Sequence, residues 1–235
     1  MIAVILAAGR GTRMGTLTTE TPKPMLKVHG KNLIERKLEV LPKEITKVIL
    51  VVGYLKETIR GYFGTSWNGI AIEYVEQSVL SGTGGAIDLC KEYLQHEEQF
   101  LVLMGDDLYA HVDLLDIISN NYSILVANQG KEGRKKGWQV FFDEENMLTE
   151  IHQDVEAETS PYINAGAYSL GKEYFTEEIY KMDNGEYSLP HTLINLITRK
   201  QVEGESLRVR VVVAKSWLQI TSPESIVEAE SILST

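Results

Sequence analysis

Short apolar runs alternate with amphipathic stretches along the first 130 residues of this 235-residue chain, and this alternation excludes most folds. The runs are rich in β-branched residues and have the length of strands, while apolar residues between them recur with helical spacing. The predicted strands are residues 2–6, 48–52, 70–74, 100–103 and 123–127. The predicted helices between them are residues 33–41, 55–63, 82–94 and 112–118. The alternation predicts βαβ units with right-handed crossovers and a mainly parallel sheet.

The pattern changes beyond about residue 130. Longer strand-like runs and further helical patterns follow there, at residues 137–142, 162–170 and 207–214 for the strands and 171–181, 189–201 and 223–233 for the helices. This half favours a mixed sheet that extends the first half. Because no linker, repeat or low-complexity tract separates the two halves, we predict a single domain over residues 1–235.

A glycine- and arginine-rich loop leaves the first predicted strand, within Leu-Ala-Ala-Gly-Arg-Gly-Thr-Arg-Met at residues 6–14. Gly9 and Gly11 let the backbone take conformations closed to other residues and approach a ligand closely. The N–H groups of such a turn bind anions, and Arg10 and Arg13 add positive charge and bidentate geometry. The chain contains neither a P-loop nor a dinucleotide-binding fingerprint. The loop therefore predicts a different kind of phosphate site, the alternative being a plain glycine turn.

Lys23 lies ten residues after Arg13, between two prolines that restrict the backbone on either side. On its own, this segment is also compatible with a rigid surface turn that carries a solvated lysine. The loop at residues 6–14 together with Lys-Pro-Met at residues 23–25 resembles the sugar-1-phosphate nucleotidyltransferases, whose members include glucose-1-phosphate thymidylyltransferases.

The resemblance implies a Rossmann-like α/β fold of the nucleotide-diphospho-sugar transferase type, with a mainly parallel or mixed central sheet flanked by helices. It implies that Arg13 and Lys23 act on the reacting phosphates and that the first loop holds a triphosphate. The loop residues assigned to the nucleotide in this way are Leu6, Ala7, Ala8, Gly9, Gly11 and Thr12. Residues 1–130 then form the nucleotide-binding half and residues 131–235 the sugar-phosphate-binding half.

Gln77 follows a predicted strand and precedes Gly82 by five residues. Its planar amide carries a donor and an acceptor, which suits the edge of a nucleobase. The resemblance implies that Gln77 reads the base, with Gly82 and Thr83 beside it, and favours a pyrimidine nucleotide, UTP or dTTP. The adjoining Gly-Gly-Ala at residues 84–86 also resembles guanylyl- and cytidylyltransferases, and a helix N-cap with close-packed glycines is the structural alternative.

Asp106 and Asp107 follow the buried strand predicted at residues 100–103. Ligands bind at the carboxyl ends of parallel strands, and carboxylate oxygens are suitable ligands for Mg²⁺. The resemblance assigns the metal to Asp106 as a catalytic group, while Asp107 is either a helper or the cap of the next helix. Gln219 stands where the family usually has a second metal-binding aspartate, so we expect Asp106 and Gln219 to hold Mg²⁺, with weaker affinity than two carboxylates would give.

The resemblance implies a sugar-phosphate site formed by Gly137, Glu150 and Asn164. Gly137 allows the backbone to meet the sugar, and the amide of Asn164 can donate to and accept from hydroxyl groups. The family usually has a lysine directly after the glutamate that aligns with Glu150, but this chain does not. His152 and Arg134 are alternative groups for holding the acceptor phosphate.

Acidic residues outnumber basic ones by 33 to 23, which gives a formal net charge of −10. This balance argues against binding to nucleic acid or to an anionic membrane. The single cysteine, Cys90, excludes an intrachain disulfide and a thiolate metal cage. Since the start of the chain lacks the basic region of a signal peptide, we expect a cytoplasmic protein, and homo-oligomerisation stays open.

The sequence thus predicts an enzyme that joins a nucleoside triphosphate to a sugar-1-phosphate or a similar small phosphate and releases pyrophosphate. Mg²⁺ is the expected cofactor, and the acceptor attacks the α-phosphate in line. Two alternatives remain, a non-catalytic sensor of a nucleotide or nucleotide-sugar and a cholinephosphate-type cytidylyltransferase. The aspartate pair also resembles that of nucleotide-sugar glycosyltransferases, although Arg13 and Lys23 suit a triphosphate better.

Overall fold

The computed structural model describes residues 1–130, 137–153 and 160–233. The strands in these residues are β1 (Ile2–Ala7), β2 (Lys27–Val28), β3 (Lys31–Asn32), β4 (Lys47–Val52), β5 (Ser66–Trp67), β6 (Ile70–Glu76), β7 (Phe100–Met104), β8 (Asp107–Tyr109), β9 (Ser123–Asn128), β10 (Trp138–Phe142), β11 (Leu148–Gln153), β12 (Tyr162–Leu170), β13 (Arg210–Val213) and β14 (Trp217–Gln219). The α-helices are α1 (Leu33–Val40), α2 (Lys56–Phe63), α3 (Gly82–Asp88), α4 (Lys91–Leu94), α5 (His111–Ile118), α6 (Leu189–Val202) and α7 (Pro223–Leu233). Short 3₁₀ segments cover Thr12–Thr18, Lys23–Met25 and Lys172–Thr176.

Four parallel strands form the centre of the main sheet, in the order β7-β1-β4-β6. Strands buried on both faces have nearly continuous apolar sequences, and residues 48–52 of β4 are fully buried. In the register of β1 with β7, Leu6 lies opposite Met104. The loops that follow these two strands therefore start side by side at one edge of the sheet.

The second half of the chain extends this sheet with antiparallel strands. β12 pairs antiparallel with β7, β9 and β10, and β11 lies beside β10 at the edge. β13 adds to the far side of β9 in parallel. The register of β12 against β9 shifts between Asn164 and Tyr168, which bends the strand next to the end of β7.

Helices cover both faces of the sheet. α3 and α6 contribute Ile87 and Leu193 to the hydrophobic core on one face, whereas α1, α2 and α5 contribute Ile34, Ile59 and Leu114 to the core on the other. The mixed sheet with its flanking helices confirms the predicted α/β fold. None of the described helices is both long and apolar enough to span a bilayer.

Two helix predictions are wrong. Residues 171–181 form only the short 3₁₀ segment before the chain continues irregularly, because the backbone N–H of Tyr180 is bonded to the side chain of Thr192. The helix predicted at residues 82–94 is interrupted at Leu89 and Cys90, which separates α3 from α4. The short strands β8 and β14 were not predicted, because each depends on pairing with a partner more than 100 residues away.

Candidate functional site

Two adjoining cavities open at the carboxyl ends of β1 and β7. The larger has a volume of about 490 Å³ and reaches from these strand ends across to β12 and the start of α6. The smaller, about 250 Å³, lies under the loop after β1. Leu6, Gly9 and Asp106 line both cavities, so the two form one continuous candidate site.

The loop after β1 forms a wall of the smaller cavity. Its residues Gly9, Gly11, Thr12 and Arg13 line this space together with Lys23. Gly11 has φ of 66°, and a Cβ atom at this position would lie only 2.7 Å from the Cβ of Lys23. A glycine is therefore needed for the loop to pack directly on Lys23.

Lys23 and Asp106 form an ion pair inside the smaller cavity. Lys23 Nζ lies 2.5 Å from Asp106 Oδ2, and the side chains are 9% and 30% exposed. The extended backbone of Pro22 and the 3₁₀ turn that starts at Lys23 point the lysine inward. Two groups that the sequence places 83 residues apart are thus in contact, where a phosphate could replace the carboxylate as the lysine's partner.

The two arginines of the first loop point to different places. Arg13 is exposed at the smaller cavity, and none of the ion pairs of the described residues includes it. Arg10 instead lies over the ring of Tyr54, with its Cζ atom 5.6 Å from the ring centroid, and lines a separate pocket. Of the two, Arg13 is available to an anion held between the loop and Lys23.

Gln77 is buried in the wall of the larger cavity. Its Nε2 donates to the carbonyl oxygen of Gly82 at 3.1 Å and to Ser81 Oγ at 3.3 Å, which fixes the plane of the amide. Thr83 lines the same cavity, and its Oγ1 accepts a hydrogen bond from the N–H of Leu189 at 3.2 Å. Gly82 and Thr83 therefore also have a structural role, since they join the start of α3 to the start of α6.

The acidic turn after β7 is joined to the C-terminal part of the chain by β8 and β14. Gln219 lies opposite Asp107 in this antiparallel pair, and the N–H of Ile220 donates to the carbonyl oxygen of Asp106 at 3.0 Å. Asp107 opens a strand, and Ala110 caps α5, so the prediction that Asp107 caps the next helix is wrong. Burial, followed by the charge of Asp106, raises the pKa of Asp107 well above its usual value.

The oxygen atoms at this turn fit a magnesium ion that also binds substrate. Asp106 and Gln219 line the same cavity. The described residues contain no cluster of three or more histidine, cysteine, aspartate or glutamate side chains of the kind that holds a metal alone. Mg²⁺ is usually bound by one or two carboxylates and completes its octahedron with phosphate oxygens and waters. One carboxylate and one amide meet that requirement when a nucleotide is present.

Of the predicted sugar-phosphate residues, Asn164 reaches the larger cavity. Its Nδ2 donates to Tyr168 Oη and its Oδ1 accepts from the N–H of Gly166 at 2.9 Å. Gly137 and Glu150 are not among the described residues that line this cavity, and the exposed carboxylate of Glu150 lies 2.6 Å from His152 Nε2, within hydrogen-bond distance. The alternative phosphate ligand Arg134 lies outside the described residues.

Aromatic side chains at the far end of the cavity were missed by sequence analysis. Trp138 and Tyr187 line the larger cavity, and the ring of His191 lies 4.8 Å from Trp138 and 4.6 Å from Tyr180. Burial, with a smaller contribution from nearby His152, lowers the pKa of His191. These residues come from separate elements, so no local spacing in the sequence brings them together.

A third cavity, of about 660 Å³, lies at the opposite end of the sheet, near the start of β7 and β9. Its cations are held by glutamates, because Arg208 lies 2.5 Å from Glu145 and Lys200 lies 2.5 Å from Glu205. The carboxyl ends of β1 and β7, which carry the loops described above, lie at the opposite end of these strands. This cavity is therefore not part of the candidate site.

Comparison with known proteins gives consistent matches. The model of the nucleotidyl transferase family matches residues 2–235. The bifunctional protein GlmU of Methanocaldococcus jannaschii is 32% identical over 235 residues, which cover 99% of this chain and 54% of that protein. This chain thus spans about half the length of that relative. The D-glycero-alpha-D-manno-heptose 1-phosphate guanylyltransferase of Campylobacter jejuni is 32% identical over 178 residues, covering 75% of this chain and 79% of that enzyme.

A solved structure of UDP-glucose pyrophosphorylase with UDP-glucose has the same fold. The two structures superpose with a TM-score of 0.83 at 22% sequence identity, and the match covers 99% of this chain and 98% of the other.

Proposed function

The chain belongs to the nucleotidyl transferase family, and we propose that it joins a nucleoside triphosphate to a sugar-1-phosphate and releases pyrophosphate. The observation that carries this proposal is that Arg13, Lys23 and Asp106 line one cavity at the carboxyl ends of two parallel strands. Such an edge is where α/β proteins bind nucleotides. Two cations and a carboxylate there match the charge of a triphosphate with its metal.

In the proposed reaction, an oxygen of the acceptor phosphate attacks the α-phosphorus in line. The bond between that phosphorus and the bridging oxygen breaks, and pyrophosphate leaves with the electron pair. The acceptor is already an anion, so no nucleophilic side chain or covalent enzyme intermediate is required. Alignment of two bound reactants contributes about 7–11 kcal/mol to such a reaction.

The charged groups would act on the phosphates. The loop N–H groups and Arg13 bind the outer phosphates, and Lys23 exchanges its contact with Asp106 for the triphosphate, where it neutralises the charge that develops on pyrophosphate. Asp106 and Gln219 would hold Mg²⁺, which when bound orients and neutralises phosphate oxygens. A neutral amide at Gln219 predicts that the free protein binds Mg²⁺ weakly.

The rest of the cavity would select the two substrates. The buried amide of Gln77 supports recognition of a base edge and, with it, the preference for UTP or dTTP. Asn164 and the aromatic end of the cavity support an acceptor recognised by hydrogen bonds and ring contacts. A cytoplasmic location is part of the same proposal.

A pyrophosphate-release assay tests this function. The purified chain is incubated with Mg²⁺, each of the common nucleoside triphosphates, and a panel of hexose, heptose and amino-sugar 1-phosphates together with choline phosphate. We expect release that needs the metal, the nucleotide and one class of acceptor together. Turnover with choline phosphate alone would contradict a sugar acceptor, and a preference for GTP or ATP would contradict the pyrimidine assignment.

A non-catalytic nucleotide sensor is the second candidate, and Gln219 in place of the family's usual aspartate favours it. The two functions separate in a thermal-shift series run on the same substrates. Stabilisation by a nucleotide or nucleotide-sugar, with no pyrophosphate released for any acceptor, would support the sensor and contradict the enzyme.

A further inference from the structure

A lysine is completely buried beneath the acidic turn of the candidate site. Lys37 lies in α1 and has no solvent exposure, although its neighbours Ile34 and Leu38 on that helix face belong to the hydrophobic core. Its Nζ donates to the carbonyl oxygen of Leu33 at 3.2 Å and to that of Gly105 at 2.9 Å. Burying an ammonium group costs free energy unless charges and hydrogen bonds compensate for it. An apolar residue would be the ordinary choice at this position of the helix.

The contact with Gly105 connects Lys37 to the start of the acidic turn. The N–H of Gly105 donates to the carbonyl oxygen of Leu6 at 2.9 Å, and a Cβ atom on Gly105 would lie 2.3 Å from that same oxygen. No larger residue fits between the ends of β1 and β7. Gly105 is therefore held by β1 at its N–H group and by Lys37 at its carbonyl group, and Asp106 follows directly.

The charges around the turn divide into two groups. Asp106 faces the cavity and pairs with Lys23. Asp107 is only 2% exposed, and it is the strongest charged neighbour of Lys37, followed by Asp106. Burial lowers the pKa of Lys37 to about 8, and the negative charges of the two aspartates oppose that shift. Asp106 is thus paired directly with a cation at the cavity, whereas Lys37 contacts the turn through the carbonyl oxygen of Gly105 and interacts with the two carboxylates from the interior.

We propose that Lys37 is a positioning residue for nucleotidyl transfer: it fixes the carbonyl group of Gly105 from the protein interior and interacts there with the buried side chain of Asp107, so that Asp106 is presented to Lys23 and the phosphates. The proposal rests on the function proposed above and adds a residue that the loop motifs do not contain. In this arrangement Asp106 serves the substrates, and Asp107 together with Lys37 holds the turn.

The test uses the fact that two interacting buried ionisable groups of opposite sign tolerate the loss of both better than the loss of one. Removal of a single partner leaves an uncompensated charge inside the protein, whereas two neutral residues of similar volume are often nearly neutral in effect. Lys37→Met keeps most of the side-chain volume and removes the charge. Asp107→Asn does the same for the partner, so the two changes form a double-mutant cycle.

The experiment compares wild type, Lys37→Met, Asp107→Asn and the double variant by urea unfolding and by steady-state kinetics of pyrophosphate release. We expect Lys37→Met to lower the urea midpoint and to lower kcat by about tenfold or more, since the acidic turn is displaced. The KM for the acceptor should stay within about twofold, because Asn164 and the aromatic end belong to β12, β10 and the residues around the start of α6 rather than to α1 or the acidic turn. Adding Asp107→Asn should restore most of the loss in urea midpoint, while the loss in kcat remains, because the carbonyl group of Gly105 still lacks its donor.

Lys31→Met is the matched control, since Lys31 precedes the same helix but is 52% exposed and pairs with Glu39 at the surface. It should behave as wild type. The proposal is overturned if Lys37→Met keeps wild-type kcat, if KM for the acceptor rises in step with the fall in kcat, or if the losses of urea midpoint in the double variant simply add.

Poor folding of Lys37→Met alone leaves the double variant to decide: a folded double variant with a lowered kcat supports the proposal, and an unfolded one, or one with wild-type kcat, overturns it. Failure of the underlying function has a different signature. In that case wild type itself releases no pyrophosphate, while the urea series still reports whether the two charges compensate each other.

Discussion

The two ends of the larger cavity are built in different ways. At the charged end, beside β1 and β7, Lys23 forms an ion pair with Asp106, and Lys37 donates to the carbonyl oxygen of Gly105. At the other end, the aromatic end, the cavity is lined by Trp138, Tyr187, Asn164 and Glu186, while Tyr180 and His191 line an adjoining cavity. The charged end suits phosphates, which every nucleotide shares, and the aromatic end suits the part of the acceptor that differs between substrates. Charge should therefore control the rate of transfer, and the aromatic end should control the choice of acceptor.

Removing a cation from the charged end should have the largest effect. Lys23→Ala and Arg13→Ala are each expected to lower kcat by about 100-fold or more, because one stabiliser of the phosphate charge is lost. Pyrophosphate release under saturating substrates measures this loss, and circular dichroism checks that the variants are folded. Arg10→Ala is the control from the same loop, since Arg10 lies over Tyr54 outside the cavity. Near-wild-type turnover of both Lys23→Ala and Arg13→Ala would contradict the assignment.

A change at the aromatic end should instead affect acceptor binding. Asn164→Ala removes an amide from the cavity wall and should raise the KM for the acceptor by about tenfold, with the KM for the nucleotide nearly unchanged. Glu150→Ala is the control, because Glu150 is exposed and pairs with His152. Equal rises in both KM values would show that the two ends are not independent.

Restoring a carboxylate at the junction of the two ends should have a smaller effect. Gln219→Asp places a second anionic ligand beside Asp106. It should lower the Mg²⁺ concentration needed for half-maximal activity by about 3- to 10-fold. Titration of Mn²⁺ by electron paramagnetic resonance, without substrates, gives a second readout. An unchanged metal requirement in both measurements would indicate that residue 219 is not a ligand.

The smallest expected effect is a pH dependence located at the aromatic end. Burial lowers the pKa of His191 in the folded protein, so the unfolded chain binds its proton at higher pH than the folded one does. The stabilising contribution of neutral His191 is therefore complete above about pH 6.5 and is lost as the pH falls below that value. Thermal unfolding from pH 5 to 8 should show a steeper acid-side loss for wild type than for His191→Gln. Parallel curves would contradict the shift.

The sequence could indicate which residues lie together at the charged end, because Gly11 and Asp106 follow strands closely. The parallel strand order puts the carboxyl ends of β1 and β7 together, so Gly11 and Asp106 could be expected at one edge. The family resemblance drawn from residues 6–25 is confirmed by the match over residues 2–235. The assignment of individual site residues remains a set of predictions for the experiments above.

The composition of the aromatic end could not be predicted in the same way. Trp138 lies in β10 and His191 in α6, and their rings meet only after β12 has paired antiparallel with β7 and β10. The sequence also gave no reason to expect that the side chain of Glu150 is exposed and does not line the larger cavity. For Lys37 a signal existed, a lysine at an apolar position of an amphipathic helix, but its meaning depended on which group lay beneath it.

Local chemistry in the chain determined the strand-loop units, the anion-binding loop and the carboxylates at a strand end, because each requires only neighbouring residues. Tertiary structure alone decided that Gln219 lies opposite Asp107 and that Lys37 reaches the carbonyl oxygen of Gly105. These contacts join residues 112 and 68 positions apart. They exist because a densely packed interior fixes which distant groups share the same space.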